Sequence, residues 1–304
     1  MTVARAGRGV SIVRWEDFRR SGNVEDRRGL GGGAAGGLGI GTVVILGLIS
    51  WALGIDPRVL IGGAEIVTGG RSGYEQGQPT GSTGVPSDET GQFIAAVLGD
   101  TEDRWKDIFQ QAGSTYRPPQ LVMFSGMTRS ACGQAQAAMG PFYCPSDQRI
   151  YLDTAFFRDL EQRFGGCSGK ACRFAQAYVI THEVGHHVQN LLGVLPKVQQ
   201  AQQGQDRRSA NQLQVRVELQ ADCFAGVWAN RAQAKWNFIE PGDVEAALRT
   251  AAAIGDDRLQ KQGQGYVVPD AFTHGSSEQR VRWFTAGLKN GAVSACNTFG
   301  EPAA

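Results

Sequence analysis

Four histidines occur in this chain of 304 residues, and two of them, His182 and His186, stand four apart with Glu183 directly after the first. On a helix, residues at i and i+4 lie one above the other on the same face, about 5–6 Å apart at Cβ. Two imidazoles so placed can share one zinc ion, each bond needing roughly 2.0–2.1 Å. Glu183 points about 100° round the helix, which sets its carboxylate beside the open position of the metal rather than on it. In this H-E-x-x-H arrangement the histidines bind zinc and the glutamate acts as general base.

The chemistry requires a helix through T-H-E-V-G-H-H-V-Q. From Phe174 to Leu192 the apolar residues Phe174, Ala177, Tyr178, Val179, Ile180, Val184, Val188, Leu191 and Leu192 recur at steps of three and four. That is the repeat of an amphipathic or buried helix. Gly193 stands as its C-terminal cap, with Pro196 beyond. A catalytic zinc takes three protein ligands and keeps one position for water. The third is expected from a second helix, Gln205–Ala234, which carries Glu218 and Asp222 four apart on one face. Glu218 is the candidate ligand. Asp222 is the candidate acceptor for the free ring N–H of His182, the contact that fixes a ligand's tautomer.

The implied reaction follows. Zinc lowers the pKa of its water to about 7, Glu183 takes the proton, and the leaving amine receives it. The oxyanion needs a donor, for which His274 is the first candidate and Arg280 the second. His187, next to a ligand but turned about 100° away, reads as structural. R-I-Y-L-D (149–153) is a candidate edge strand for pairing with an extended substrate. A zinc-stabilised scaffold without turnover, and a zinc amidase acting on cell-wall peptides, are the competing readings.

H-E-x-x-H followed by a helix with E-x-x-x-D resembles the gluzincin metallopeptidases. More closely, the chain is similar to a bacterial neutral zinc metallopeptidase family. The likeness rests on G-P-F-Y-C-P (140–145), I-Y-L-D, T-H-E-V-G-H-H-V-Q, E-L-Q-A-D-C-F-A-G (218–226) and T-H-G-S-S-E-Q-R-V-R-W-F (273–284). R-W-E-D-F-R-R-S-G-N-V-E-D-R-R-G near the N-terminus also fits. The resemblance implies His182, His186 and Glu218 as zinc ligands, Glu183 as the catalytic carboxylate, and a protein or peptide substrate. It implies an α+β, mostly helical zincin-like domain with a small sheet.

The rest of the chain organises around that domain. Net charge is +1, which gives no reason to expect a nucleic-acid partner. Residues 1–37 read as a disordered cytoplasmic segment. Leu38–Ile55 is an uncharged run of 18 residues, about 27 Å as a helix and so close to the roughly 30 Å hydrocarbon layer. It reads as a single transmembrane anchor in contact with lipid. Seven arginines precede it, so the positive-inside rule puts the N-terminus inside a bacterial cytoplasmic membrane and the domain outside. Residues 56–87 read as a linker and 88–299 as the catalytic domain, with Asp88 as N-cap of its first helix. Six cysteines, at 132, 144, 167, 172, 223 and 296, suit an oxidising compartment. Cys132 with Cys144 and Cys167 with Cys172 are close enough for short bridged loops, and Cys223 with Cys296 is a possible third pair among fifteen connectivities.

Overall fold

Apart from one long early helix, the short strands come first in the chain and the helices later. The computed structural model describes residues 15–29, 81–136, 140–162, 172–240, 242–264 and 266–300. A one-turn 3₁₀ helix at Trp15–Asp17 precedes β1 (Val24–Asp26). There follow β2 (Ser82–Thr83), α1 (Glu89–Gln111), β3 (Gln120–Phe124), β4 (Met127–Ser130), β5 (Gly133–Gln136), β6 (Phe142–Cys144) and β7 (Arg149–Asp153). The helical part comprises α2 (Ala155–Gln162), α3 (Cys172–Leu191), α4 (Val194–Gln202), α5 (Arg207–Trp236), α6 (Asp243–Ala253), α7 (Asp256–Gln264) and α8 (Ser277–Asn290). The fold is α+β, mostly helical with a small mixed sheet. Among the described residues no helix is long and apolar enough to cross a membrane. The run at 38–55 read as an anchor lies outside them.

The five-stranded sheet has the order β2-β1-β3-β7-β6, parallel at β1–β3 and β3–β7 and antiparallel at both ends. Its register pairs Leu121 with Ile150 and Met123 with Leu152. Ile150, Tyr151 and Leu152 are all buried, because a parallel core strand is covered on both faces. This corrects the reading of R-I-Y-L-D as an edge: β7 is paired on both sides, and β6 is the outer strand.

The reading of residues 1–37 as disordered is corrected from Trp15 onward. Val24 is fully buried, and β1 lies between β2 and β3. Phe18 packs against Trp236 and Phe238 with ring centroids 5.7 and 5.3 Å away, and Trp15 meets Phe93 at 5.6 Å. Arg19 reaches Glu102 at 2.6 Å, and the Ser21 amide donates to the Ala95 carbonyl at 2.8 Å. V-E-D shows no apolar repeat because Glu25 is buried as an ion. Arg27 Nε and the Gly81 amide donate to it at 2.7 and 3.1 Å, which supplies the partners that a buried carboxylate needs. The linker reading likewise fails at Ser82–Thr83, which form β2.

Helix boundaries follow local chemistry. Asp88 caps α1 by accepting from the Gly91 amide at 3.1 Å. Ser276 and Gln279 form a reciprocal capping box at the start of α8. Gly193, with φ of +73°, does end α3, but Pro196 sits within the first turn of α4 rather than in a terminating loop. The helical run that begins at Asp243 breaks into α6 and α7. At the break the Gly255 backbone lies against Ser277, where a Cβ would come within 2.6 Å of its amide nitrogen. α3 and α5 form the central pair. They pack tightly at Gly185, where a Cβ would meet the Ala221 carbonyl oxygen at 3.0 Å, so the glycine that weakens the helix lets the second one close on it. Disulfides join Cys132 to Cys144 and Cys223 to Cys296. Cys172 is also disulfide-bonded, and the expected partner Cys167 lies outside the described residues.

Because Phe18 fills a pocket built by residues more than 200 positions away, Phe18→Ala is expected to cost about 3–5 kcal/mol of unfolding free energy. Denaturant melts of the full chain check this, and an unchanged midpoint would mean the N-terminal segment is not part of the core.

Candidate metal centre

His182 and His186 share one face of α3, with ring centroids 4.8 Å apart. α5 crosses that face and brings in Glu218. Its Oε2 lies 3.2 Å from His182 Nε2 and 3.4 Å from His186 Nε2. Donors about 2.0–2.1 Å from a tetrahedral ion sit about 3.3 Å from one another. Both histidine–glutamate spacings match those around a zinc-sized cation, and the three donor atoms all lie within 4.8 Å of one another. Among the described residues they are the one group of three His, Cys, Asp or Glu side chains that converges in this way. All three ligands expected from the sequence meet here.

Behind His182 lies a buried charged network. Asp222 is fully buried, and its Oδ1 accepts from His182 Nδ1 at 2.9 Å and from the Tyr178 hydroxyl at 2.5 Å. Arg280 grips the same carboxylate through Nε to Oδ2 at 2.8 Å and Nη2 to Oδ1 at 2.9 Å. The expected contact between Asp222 and the His182 ring is thus in place, and the reading of Arg280 as an oxyanion donor is corrected. Its guanidinium is buried against Asp222 and Tyr178, on the far side of the histidine from the metal position. Tyr178 was missed by sequence reasoning. Its signal was its position four residues before His182, on the same face.

Glu183 is buried beside the trio. Burial raises its pKa, and the charges of His186 and His182 only partly offset this, which suits a base that must take and return a proton. Burial also pulls His182 down, but the charge and hydrogen bond of Asp222, with Glu218 beyond, outweigh it and leave the ring raised to about 10. His186 is raised likewise, Glu218 overcoming its burial. Burial opposes the ionisation of Glu218 and Asp222, yet His186 holds the first well below the carboxylate range, and Arg280 with His182 holds the second at about 2. A site that draws protons onto its histidines is one that favours a cation.

His274 stands at the rim. Its ring is half exposed, and it lies close enough to Glu218 for each to shift the other's pKa. Asp256 fixes its loop by accepting from the amides of Thr273, His274 and Gly275 at 2.6, 2.5 and 3.1 Å. Asp256 gave no motif signal in the sequence, being one of two adjacent aspartates at a helix start. His187 is structural, as read: it is buried between the Tyr143 hydroxyl and the Arg117 carbonyl, and burial lowers it to about 4.

Comparison with known proteins agrees with this geometry. Residues 13–299 match a family described as "Putative neutral zinc metallopeptidase", and the chain belongs to it. The protein YpfJ of Escherichia coli K12, itself named as uncharacterized, is 46% identical over 298 residues, covering 95% of this chain and 99% of the relative. Mb2605 of Mycobacterium bovis, also named as uncharacterized, is 40% identical over 259 residues, covering 81% and 84%. No solved structure matches. The match begins at residue 13, consistent with the N-terminal strand being part of the domain.

A histidine raised to about 10 in the folded state, against 6.5 unfolded, stabilises fully below pH 6.5 and loses that contribution as pH rises through 10. Chelator-treated protein is therefore expected to lose melting temperature between about pH 6.5 and 10, and Asp222→Asn to flatten that slope. A wild-type profile that is already flat would show that the metal-free rings are neutral.

Proposed function

We propose that this chain is a zinc-dependent peptidase in which His182, His186 and Glu218 hold the ion and Glu183 is the catalytic carboxylate. The observation that carries the reading is the convergence of three donor atoms within 4.8 Å of one another, with a second buried carboxylate, Glu183, beside them. Three protein ligands leave a coordination position for substrate or water, whereas a purely structural zinc is closed by four. When bound, zinc supplies Lewis acidity toward a peptide carbonyl and toward water. Glu183 takes the proton from the attacking water and passes it to the leaving amine. His274, at the rim and held by Asp256, donates to the oxygen on which negative charge develops. Asp222, with Tyr178 and Arg280, keeps His182 aimed.

An extended peptide would add to the outer strand β6 rather than to β7. The Tyr143 hydroxyl on β6 accepts from Asn190 Nδ2 of α3 at 3.0 Å, which ties that strand to the metal helix. Two described disulfides support an oxidising location outside the cytoplasm, and residues 38–55 remain the proposed contact with lipid.

The test uses the full chain, because a fragment beginning at residue 88 lacks β1 and β2. Zinc-loaded wild type is expected to cleave casein, and Glu183→Gln to be about 10²–10⁴-fold slower with its zinc content unchanged. Equal cleavage by both would remove Glu183 from the mechanism. No cleavage by zinc-loaded wild type would rule out general proteolysis.

A further inference from the structure

Gln189 completes T-H-E-V-G-H-H-V-Q and is not used by the mechanism above. It is fully buried. Its Nε2 donates to the Val217 carbonyl at 2.7 Å and to Gln220 Oε1 at 3.0 Å, while its Oε1 lies 2.9 Å from His186 Nδ1. A backbone carbonyl only accepts, so the end of the amide facing Val217 must be the NH₂. The oxygen then faces His186 and can only accept, which requires the ring proton on Nδ1. A ring that binds a metal is neutral and has one such proton, so its lone pair is then on Nε2, the nitrogen that approaches Glu218. Gln220 is held in turn, donating through Nε2 to the Cys296 carbonyl at 3.0 Å, and Cys296 is bridged to Cys223 of α5.

We propose that Gln189 is the positioning residue of His186, fixing its metal-binding tautomer through an amide relay anchored on the backbone of α5. This rests on the metal-site reading. The two histidines thus have unlike supports: His182 leans on an ionised carboxylate, His186 on a neutral amide. Glu183, Glu218 and Asp222 already place three carboxylates in a buried volume with one arginine. An amide fixes the second ring without adding a further buried anion.

The test is zinc affinity of the full chain by competition with a chromogenic chelator. Gln189→Met keeps the volume and removes the amide, and a 10–100-fold rise in the zinc dissociation constant is expected. A role confined to bridging α3 and α5 would instead lower the metal-free melting temperature and leave the affinity of folded molecules within about threefold; that outcome overturns the proposal. A direct readout needs no variant. ¹⁵N-correlated spectra of the zinc-loaded wild type are expected to show His186 protonated at Nδ1, and protonation at Nε2 overturns the proposal. Wild type that binds no zinc would instead remove the metal reading itself.

The β1–β2 ladder carries a second, independent inference. Glu25 pairs with Thr83 and Asp26 with Ser82, so the chain leaves the sheet at β1 and rejoins it one strand away, about 4.8 Å. A single crossing of a roughly 30 Å hydrocarbon layer between these strands would separate them to opposite sides. Of the seven arginines behind the positive-inside assignment, four are engaged in the fold. Arg19 pairs with Glu102, Arg27 with Glu25 and Arg28 with Asp26 and Asp88, and Arg20 donates to the backbone carbonyls of Trp15 and Glu16. We infer that residues 15–28 share a compartment with the metal centre, which replaces the single-pass topology expected from the sequence.

Glu16→Cys and Lys106→Cys, both at exposed positions, test this in cells expressing the full chain. A membrane-impermeant maleimide is applied to intact spheroplasts, with detergent-lysed cells giving total labelling. The two sites are expected to label alike. Labelling of one with protection of the other overturns the inference.

Discussion

The carboxylate of Asp222 is the contact on which the rest of this structure depends. Oδ1 and Oδ2 receive hydrogen bonds from α3 through Tyr178 and His182, and from α8 through Arg280, while the aspartate itself belongs to α5. Three helices are thus tied at one buried ion. An unpaired aspartate here would be prohibitively costly, and so would an unpaired arginine. Each justifies the other, and the surplus hydrogen-bonding capacity of the pair is turned onto His182.

That arrangement sets the close packing around it. The pair can form only if the helix backbones approach closely, and small residues stand where they touch. Gly185 lies against Ala221, and Gly287 of α8 lies against Cys223, where a Cβ would fall 2.0 Å from the carbonyl oxygen. Glu218 comes one turn before Asp222, so seating the aspartate behind His182 delivers the Glu218 carboxylate to the front of both histidines. The Cys223–Cys296 bridge and the Gln220 contact to the Cys296 carbonyl hold the other side of α5. The site is therefore a consequence of how two helices cross.

Much of the site was legible because helical spacing writes it into the sequence. His182, Glu183 and His186 are separated by one and four residues, and Glu218 and Asp222 by four, so their relative directions follow from the 3.6-residue repeat. The strand at 149–153 and the cap at Asp88 were legible for similar local reasons. What was hidden depends on residues far apart. Arg280 has no periodic signal linking it to Asp222, 58 positions earlier. β1 was illegible because a three-residue strand with a buried, ion-paired glutamate reads as solvated chain. The pairing of β7 with both β3 and β6, which removed it as an edge, is likewise a property of the sheet and not of R-I-Y-L-D.

The hidden strand changes how the fold relates to the site. β1 hydrogen-bonds to β3, β3 to β7 and β7 to β6, and Tyr143 of β6 contacts His187 and Asn190 on the metal helix. The N-terminal segment is therefore three strand pairings from the helix that carries His182 and His186. It also touches that unit directly through its core, since Phe18 meets Phe238, which in turn meets Phe174 at the start of α3 with centroids 5.9 Å apart. A segment so placed behaves as part of one cooperative unit with the metal helices rather than as a leader preceding them.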